Sequence, residues 1–307
     1  VTGVQTCALP IFRFNFIWLA ILLFYYYRYR MTKISHHTLI VIAVLLQITW
    51  GLVPTASKMV IEEIPVELYV ALRWTLSGFI FTAFLTITKR WVKISLSDFF
   101  WVSLLGLFGY GIASLGTLYG LKIGGVSNFA LLSALGPVVI STVSILILKE
   151  RPHRLFYVAL PLCVVGLGLL VMGKYQISSL HIAGYSALAI LAGYILEAIV
   201  FVFSKSFKAK MPIAQYLGIA QMAAALAFWL MQLTYFEQSH LISQLTIRGI
   251  LAAVFVGIVA CVLCYAVLYW LLGYLDGHRL ALFDGIHAVS ASLFGYLMFQ
   301  DPLTPLM

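Results

Sequence analysis

The segment from Val126 to Gly173 contains two apolar runs, each about 20 residues long, separated by the charged turn Lys149-Glu150-Arg151-Pro152. A helix of about 20 apolar residues can cross a hydrocarbon core about 30 Å thick. Proline ends one helix and lets another begin, because it lacks a backbone donor and fixes φ. The segment therefore predicts a helical hairpin that spans a membrane.

A weaker copy of the first half of this hairpin lies 151 residues later in the chain. Phe129-Ala130-Leu131 matches Leu280-Ala281-Leu282, and Glu150 matches Asp301. Three further matches are Val138 with Val289, Ser141 with Ser292 and Leu146 with Leu297. The similarity indicates an internal duplication, and the sequence therefore predicts a transporter built from two related halves.

The composition favours a membrane environment throughout, with 63% hydrophobic and 9% charged residues. Soluble domains carry about 25% charged residues. The net charge of +9 would suit nucleic acid, but the Lys and Arg residues lie at the ends of apolar segments, as a membrane topology requires. The expected partners are the lipid bilayer and a small-molecule substrate, without nucleic acid; a homodimer is left open, and no cofactor is expected.

Nine apolar segments follow Met31 at near-regular intervals, at about 37–57, 66–88, 98–120, 126–148, 154–173, 182–204, 212–235, 247–273 and 279–299. Residues 1–30 are interpreted as a non-native leader, because VTGVQTCALPI resembles translated adapter sequence and the next apolar run is too short to span. The alternative is a genuine extra N-terminal helix or an uncleaved signal-like segment. The copy in the second half stops near Asp301-Pro302, so a tenth helix is expected to be truncated.

The distribution of Lys and Arg predicts the orientation, because short basic loops stay in the cytoplasm. With a cytoplasmic N-terminus, thirteen of these residues fall inside and four outside. The predicted location is the inner (plasma) membrane. Two repeats are expected, at 31–175 and 180–307, and an odd number of five helices per repeat would insert the second one upside down. The expected fold is an all-α polytopic bundle of two inverted five-helix repeats.

Several short motifs resemble the EamA branch of the drug/metabolite transporter superfamily over residues 33–307. They are Trp50-Gly51 followed by Ser57-Lys58, Leu72-Arg73-Trp74, and the stretch from Ala130 through Pro137 to Glu150-Arg151-Pro152; Ser204-Lys205 resembles Ser57-Lys58. The resemblance implies ten helices in two inverted repeats and export of amino acids, metabolites or drugs. Position 288, which would match Pro137, is Ala288. This departure puts the symmetry of a gate in question.

Ionisable groups inside a bilayer are costly and are functional candidates. Glu197 lies near the middle of its apolar segment, without a cation one turn away. A carboxylate that alternates between hydrocarbon and water would take up and release a proton, so Glu197 is a candidate for substrate binding or proton coupling. Asp284 and His287 are spaced i, i+3 and share one helix face. They form a second candidate pair. For both sites, a structural hydrogen bond to a neighbouring helix is the alternative.

Gln47 and Trp50 also lie one turn apart, and a tryptophan far from both helix ends favours a pocket lining over an interfacial anchor. Pro137 would free a carbonyl within its helix, as a hinge or a simple kink. Arg73 could extend outward, or neutralise an anionic substrate or Glu62 or Glu63 at the outer loop, and it is interpreted as a structural charge.

Other classes of function lack their usual sequence patterns. A membrane-embedded enzyme would need a nucleophile with its base or a metal-binding set, and neither HExxH nor GxSxG occurs. A channel would show rings of like charge or a repeated filter sequence. Cys261 and Cys264 form a CxxC spacing without further ligands, so they are expected to be small packing residues and no metal is predicted. The sequence therefore favours a secondary transporter that exposes a central cavity alternately and consumes no ATP. Its coupling to protons is left open.

Overall fold

The computed structural model describes residues 35–148, 157–158, 161–162, 165, 180–204, 207, 210–234, 242–275, 280 and 283–300. Ten α-helices occur within these residues: α1 His36–Ile61, α2 Val66–Ile87, α3 Leu96–Gly106, α4 Ala113–Ser133, α5 Gly136–Leu148, α6 Leu180–Ser204, α7 Ile213–Thr234, α8 Ile247–Val254, α9 Tyr265–Leu271 and α10 Asp284–Phe299. The described part of the chain contains no strand. The predicted all-helical class is confirmed for these residues.

Six helical stretches among the described residues are long and apolar enough to cross a membrane: His36–Ile61, Val66–Ile87, Leu96–Ser133, Gly184–Ser204, Ile213–Leu233 and Ile247–Leu271. Large apolar side chains such as Phe79, Leu188 and Leu226 are exposed on the outside of the bundle, where lipid would cover them. The chain is a multi-pass membrane protein. Most of the predicted segment 154–173, the turn at 149–152, residues 1–34 and Asp301 lie outside the described residues.

Within the part of the chain that the structure describes, two π-helical segments interrupt long helical stretches. Leu107–Ile112 joins α3 to α4, and Phe255–Cys264 joins α8 to α9. The 151-residue offset that relates the two copies of the hairpin places the first π-helical segment within the second. Because π-helical turns widen the backbone and free carbonyl groups, they are frequent at functional sites. The apolar pattern of the sequence did not predict them.

The predicted helix 126–148 is broken into two pieces. Gly125 has φ 77° and ψ 175°, a conformation that glycine adopts without strain. The helix then runs to Ser133, pauses at residues 134–135 and resumes at Gly136. Pro137 therefore lies in the first turn of α5, where the missing donor costs little. A simple kink within a continuous helix is not observed, and a hinge at this interruption stays a prediction.

Three helix pairs form the most extensive contacts: α2 with α7, α4 with α6, and α1 with α10. In the second pair, a Cβ atom added at Gly116 would lie 2.7 Å from the Ala189 carbonyl oxygen, and one added at Gly120 would lie 2.8 Å from the Ser186 carbonyl oxygen. These glycines therefore let α4 and α6 approach each other closely.

Polar contacts tie the two halves of the chain together at both ends of α2. Just before α2, the Glu63 carboxylate accepts hydrogen bonds from the Thr246 backbone N–H (2.8 Å) and hydroxyl (2.6 Å) at the start of α8. Just after α2, Lys210 pairs with Asp98 in the first turn of α3 at 2.6 Å. With 22 residues, α2 separates these contacts by about 33 Å.

Candidate functional site

A cavity of about 250 Å³ lies inside the bundle. Its wall includes Gln47, Trp50, Glu197 and His287, four residues that the sequence singled out as candidates. It also includes Arg73, which was interpreted from the sequence as a structural charge. The structure thus brings together residues that lie up to 240 positions apart in the chain.

Helices α1 and α6 line the cavity with residues at matching positions. Gln47, Trp50 and Val53 of α1 lie 147 residues before Tyr194, Glu197 and Val200 of α6. These lining positions recur at intervals of three, which places them along one helix face. The same face of each helix therefore points into the cavity.

The π-helical segments and the helices that follow them are related in a similar way. Three lining residues of the first half are Tyr110, Ser114 and Leu118, and Cys261, Tyr265 and Tyr269 lie 151 residues later in the same wall. Gly136 and His287, which also line the cavity, have this separation too. The cavity is thus built from paired positions of two chain halves.

Aromatic rings form a cluster around Tyr265. The Trp50 and Tyr110 ring centroids each lie 5.5 Å from that of Tyr265, and the Trp74 centroid lies 6.2 Å away. Trp74 and Tyr110 also contact each other, at 5.0 Å. These edge-on arrangements are favourable for aromatic pairs and give one side of the cavity an apolar, rigid surface.

Arg73 lies beside this cluster. Its guanidinium carbon is 4.3 Å from the Trp74 ring centroid and 5.8 Å from that of Tyr69, within the range of cation–π contacts. Its Nε atom is buried without a hydrogen-bond partner in the described structure. None of the described carboxylates lies within 4.0 Å of its nitrogens. Glu63, one of the two partners suggested by the sequence, binds Thr246 instead.

Glu197 faces the same cavity from α6. The Tyr265 hydroxyl donates a hydrogen bond of 3.1 Å to its Oε1 atom. Arg73 is close enough to Glu197 to interact with it electrostatically, although the two do not form a direct ion pair. Among the described residues of its wall, the cavity contains one arginine and one carboxylate. Tyr265 donates to the carboxylate and contacts Trp74, the ring against which Arg73 lies.

The second π-helical segment is held by a buried polar network. Ser77 donates to the side-chain oxygen of Gln221 (2.5 Å) and to the Cys261 carbonyl (2.9 Å), which also accepts from the Gln221 amide at 3.4 Å. Side chains from α2 and α7 thus satisfy a carbonyl that the π-helical turn leaves open. Cys261 and Cys264 are buried free thiols. The described residues contain no cluster of three potential metal ligands.

Two candidates are not placed in the cavity wall. Asp284 is the first residue of α10, and its side chain lies outside the described part of the structure. Pro137 follows Gly136, which does line the cavity, but the Pro137 side chain is likewise outside the description. The i, i+3 pairing of Asp284 with His287 therefore stays a prediction.

Sequence reasoning missed the aromatic members of the wall, chiefly Trp74, Tyr110, Tyr194 and Tyr265. Aromatic residues are common throughout this chain, at 15%, so none was conspicuous. The signal that could have found Tyr194 is the 147-residue offset, which pairs it with Gln47.

Comparison with known proteins agrees with this architecture. A model of the EamA-like transporter family matches residues 37–172 and again residues 184–307. A solved structure titled only "Crystal structure of protein" matches with a TM-score of 0.60 and 18% identity, covering 89% of this chain and 92% of that one. No curated protein matches the chain. The structural match concerns the fold alone.

Proposed function

The chain belongs to the EamA-like transporter family, within the drug/metabolite transporter superfamily, and on that premise we propose that it is a secondary transporter for small organic metabolites. Membrane transport is the activity that the family indicates, and enzymatic activity is not proposed. The proposed mechanism is alternating access, in which the central cavity opens to one side of the membrane and then to the other.

The observation that carries this proposal is the cavity itself, whose wall takes paired positions from both halves of the chain. Two related halves that meet around one cavity can rock about it and change which side is open. The cavity volume of about 250 Å³ is slightly below the ~300–1,000 Å³ usual for drug-sized ligands. Small metabolites are therefore preferred over drugs as substrates.

We further propose that the halves, residues 31–175 and 180–307, are inverted repeats. Glu63 follows α1 and Lys210 follows α6, and they make their contacts at opposite ends of α2. Since α1 therefore ends near one end of α2 and α6 ends near the other, α1 and α6 run in opposite directions, as an inverted pair must. The Lys and Arg distribution supports a cytoplasmic N-terminus in the inner membrane, with export as the proposed direction.

Proton coupling is assigned to Glu197. Its carboxylate lies in the cavity wall, within reach of any water that enters, and its described hydrogen-bond partner is a neutral tyrosine. In a dry cavity the carboxylate favours the protonated form, and in a wet one the ionised form. Alternation between these conditions would move a proton together with substrate or against it.

The test is transport by the full chain in inside-out vesicles or liposomes, with a labelled metabolite panel and an imposed pH gradient. Glu197→Gln keeps the shape of the side chain and removes its proton exchange. We expect pH-driven uptake to fall to background, while exchange at equal substrate concentrations on both sides continues. Glu62→Gln makes the same change at an exposed position and should leave both activities intact.

Two results would contradict the proposals. If pH-driven uptake by Glu197→Gln persists unchanged, the carboxylate is structural. If no labelled compound moves across the membrane under any gradient, the assignment as a transporter fails.

A further inference from the structure

The two charges of the cavity are not equivalent, and the difference bears on the chemistry of the substrate. An arginine side chain stays protonated in proteins, whereas a carboxylate becomes neutral by taking up a proton. The positive charge of Arg73 is therefore permanent. The negative charge of Glu197 is conditional.

The described surroundings of Arg73 leave this permanent charge without a direct anion. Its guanidinium lies against the faces of Trp74 and Tyr69, its Nε atom is unpaired, and its side-chain contact with Cys261 is with a thiol rather than a carboxylate. Cation–π contacts stabilise a cation by less than burial of the ion costs.

The Glu197 carboxylate is better satisfied, because Tyr265 donates a hydrogen bond to it. Its attraction to Arg73 acts over a distance, without a shared hydrogen bond. An anion that enters the cavity can therefore approach the guanidinium without displacing a protein carboxylate. A cation that enters the cavity would be repelled by the permanent positive charge of Arg73.

We propose that the cavity binds an organic anion with an apolar, preferably aromatic, body, whose carboxylate pairs with Arg73 and whose body packs against the rings around Tyr265. This inference rests on the proposed transport function and names its substrate class. The rings of Trp50, Tyr110 and Tyr265 offer the body a surface. The guanidinium offers the carboxylate two parallel donors.

The test compares three compounds with one carbon skeleton: phenylacetate, phenylacetamide and phenethylamine. Binding to the purified full chain in detergent is measured by calorimetry at pH 7. We expect phenylacetate to bind at least about tenfold more tightly than the neutral amide, as hydrogen bonds to charged groups imply, and the amine to bind most weakly. This comparison needs no substitution, so it holds even if variants are unstable.

Variants then assign the effect to Arg73. Arg73→Gln should weaken phenylacetate binding at least about tenfold and leave phenylacetamide binding within about twofold, since only a charge-assisted bond is lost. Arg73→Lys keeps the charge and should restore part of the affinity. Arg248→Gln removes an exposed arginine outside the cavity wall and serves as the matched control.

The proposal is overturned if the amide or the amine binds as tightly as phenylacetate, if none of the three binds, or if Arg73→Gln keeps the phenylacetate affinity. If the labelled metabolites still cross vesicle membranes, these binding results do not contradict the assignment as a transporter. Loss of all flux in that separate assay is what defeats the transporter assignment.

Discussion

In the first half of the chain α1 presents Gln47 and Trp50 to the cavity, whereas in the second half α6 presents Tyr194 and Glu197 from the matching positions. The difference extends to α2 and α7. Arg73 has its counterpart, 147 residues later, in Ala220, which is buried. The cation comes from one half and the carboxylate from the other.

This comparison explains why matching positions of the two halves carry different side chains. Two identical halves would place two arginines or two glutamates around one small cavity, and like charges at short range repel each other. Because one half supplies Arg73 and the other supplies Glu197, the two charges offset each other when Glu197 is ionised. When Glu197 is protonated, the positive charge of Arg73 is left without this counterpart. The matching helices of the two halves give the cavity its shape, and the side chains that differ between the halves give it its charges.

The largest expected difference between the halves concerns two matching glycines: Gly106, directly before the first π-helical segment, and Gly257, within the second. A Cβ atom at Gly106 would overlap the backbone of Ala220, lying 2.6 Å from its Cα atom, whereas one at Gly257 would meet the Leu76 side chain at 2.6 Å. A side chain can move and a packed backbone cannot. We expect Gly106→Ala to destabilise the protein by about 1–3 kcal/mol and Gly257→Ala by clearly less.

Melting of the two glycine variants in detergent, followed by circular dichroism, measures this difference. Gly184→Ala is the control, because its added Cβ meets nothing within 4 Å. Equal melting temperatures for Gly106→Ala and Gly257→Ala would show that the two halves pack alike at this point.

A smaller effect is expected at the two ends of α2, where Glu63 and Lys210 occupy matching positions with opposite charge. Glu63 binds the backbone and the hydroxyl of Thr246, so Glu63→Ala should cost about 1–2 kcal/mol, as loss of a helix cap does. Lys210→Ala removes an ion pair whose lysine side chain is 52% exposed and should cost about 0–1 kcal/mol.

Salt separates these two contacts. The melting difference caused by Lys210→Ala should disappear in 1 M NaCl, where the Debye length is about 3 Å. The melting difference caused by Glu63→Ala should persist in part, because salt does not screen the hydrogen bond that the Thr246 backbone N–H donates to Glu63 in the unchanged protein. Equal loss of both effects in salt would mean that the Glu63 contact is purely ionic.

The smallest effect is expected for the two thiols of the second half. Cys261 lines the cavity, where its thiol contacts Arg73 and its backbone carbonyl accepts from Ser77, and Cys264 is buried. Replacing both by alanine keeps that carbonyl and removes little volume, so transport in vesicles should stay within about threefold. Loss of transport together with bound zinc would contradict the packing role.

The positions of the long helices could be predicted from the sequence because a membrane span needs about 20 apolar residues. The predicted segment 66–88 corresponds to Val66–Ile87, and 212–235 corresponds to Ile213–Thr234. Interruptions within helices were not predicted. The pause before Gly136 and both π-helical segments occur in sequence that is as apolar as its surroundings, so hydropathy alone does not distinguish them.

The cavity was predictable only in part. Glu197 and Trp50 could be found because a charged side chain in the middle of a membrane helix is costly and a tryptophan there is not an interfacial anchor. The direction of Arg73 was not predictable, because a long side chain near a helix end reaches either the surface or the interior. The structure places Arg73 in the cavity wall, against the rings of Trp74 and Tyr69 of its own helix.

The central claim is that the cavity between the halves opens to both sides of the membrane, and cysteine accessibility tests it most directly. In a chain without Cys7, Cys163, Cys261 and Cys264, single cysteines are placed at the matching positions 47 and 194, with Ala224→Cys as a control buried outside the cavity wall. A membrane-impermeant thiol reagent is added to sealed vesicles of each orientation. We predict that Gln47→Cys and Tyr194→Cys are labelled from both faces and Ala224→Cys from neither. Labelling of the two cavity positions from one face only would contradict alternating access.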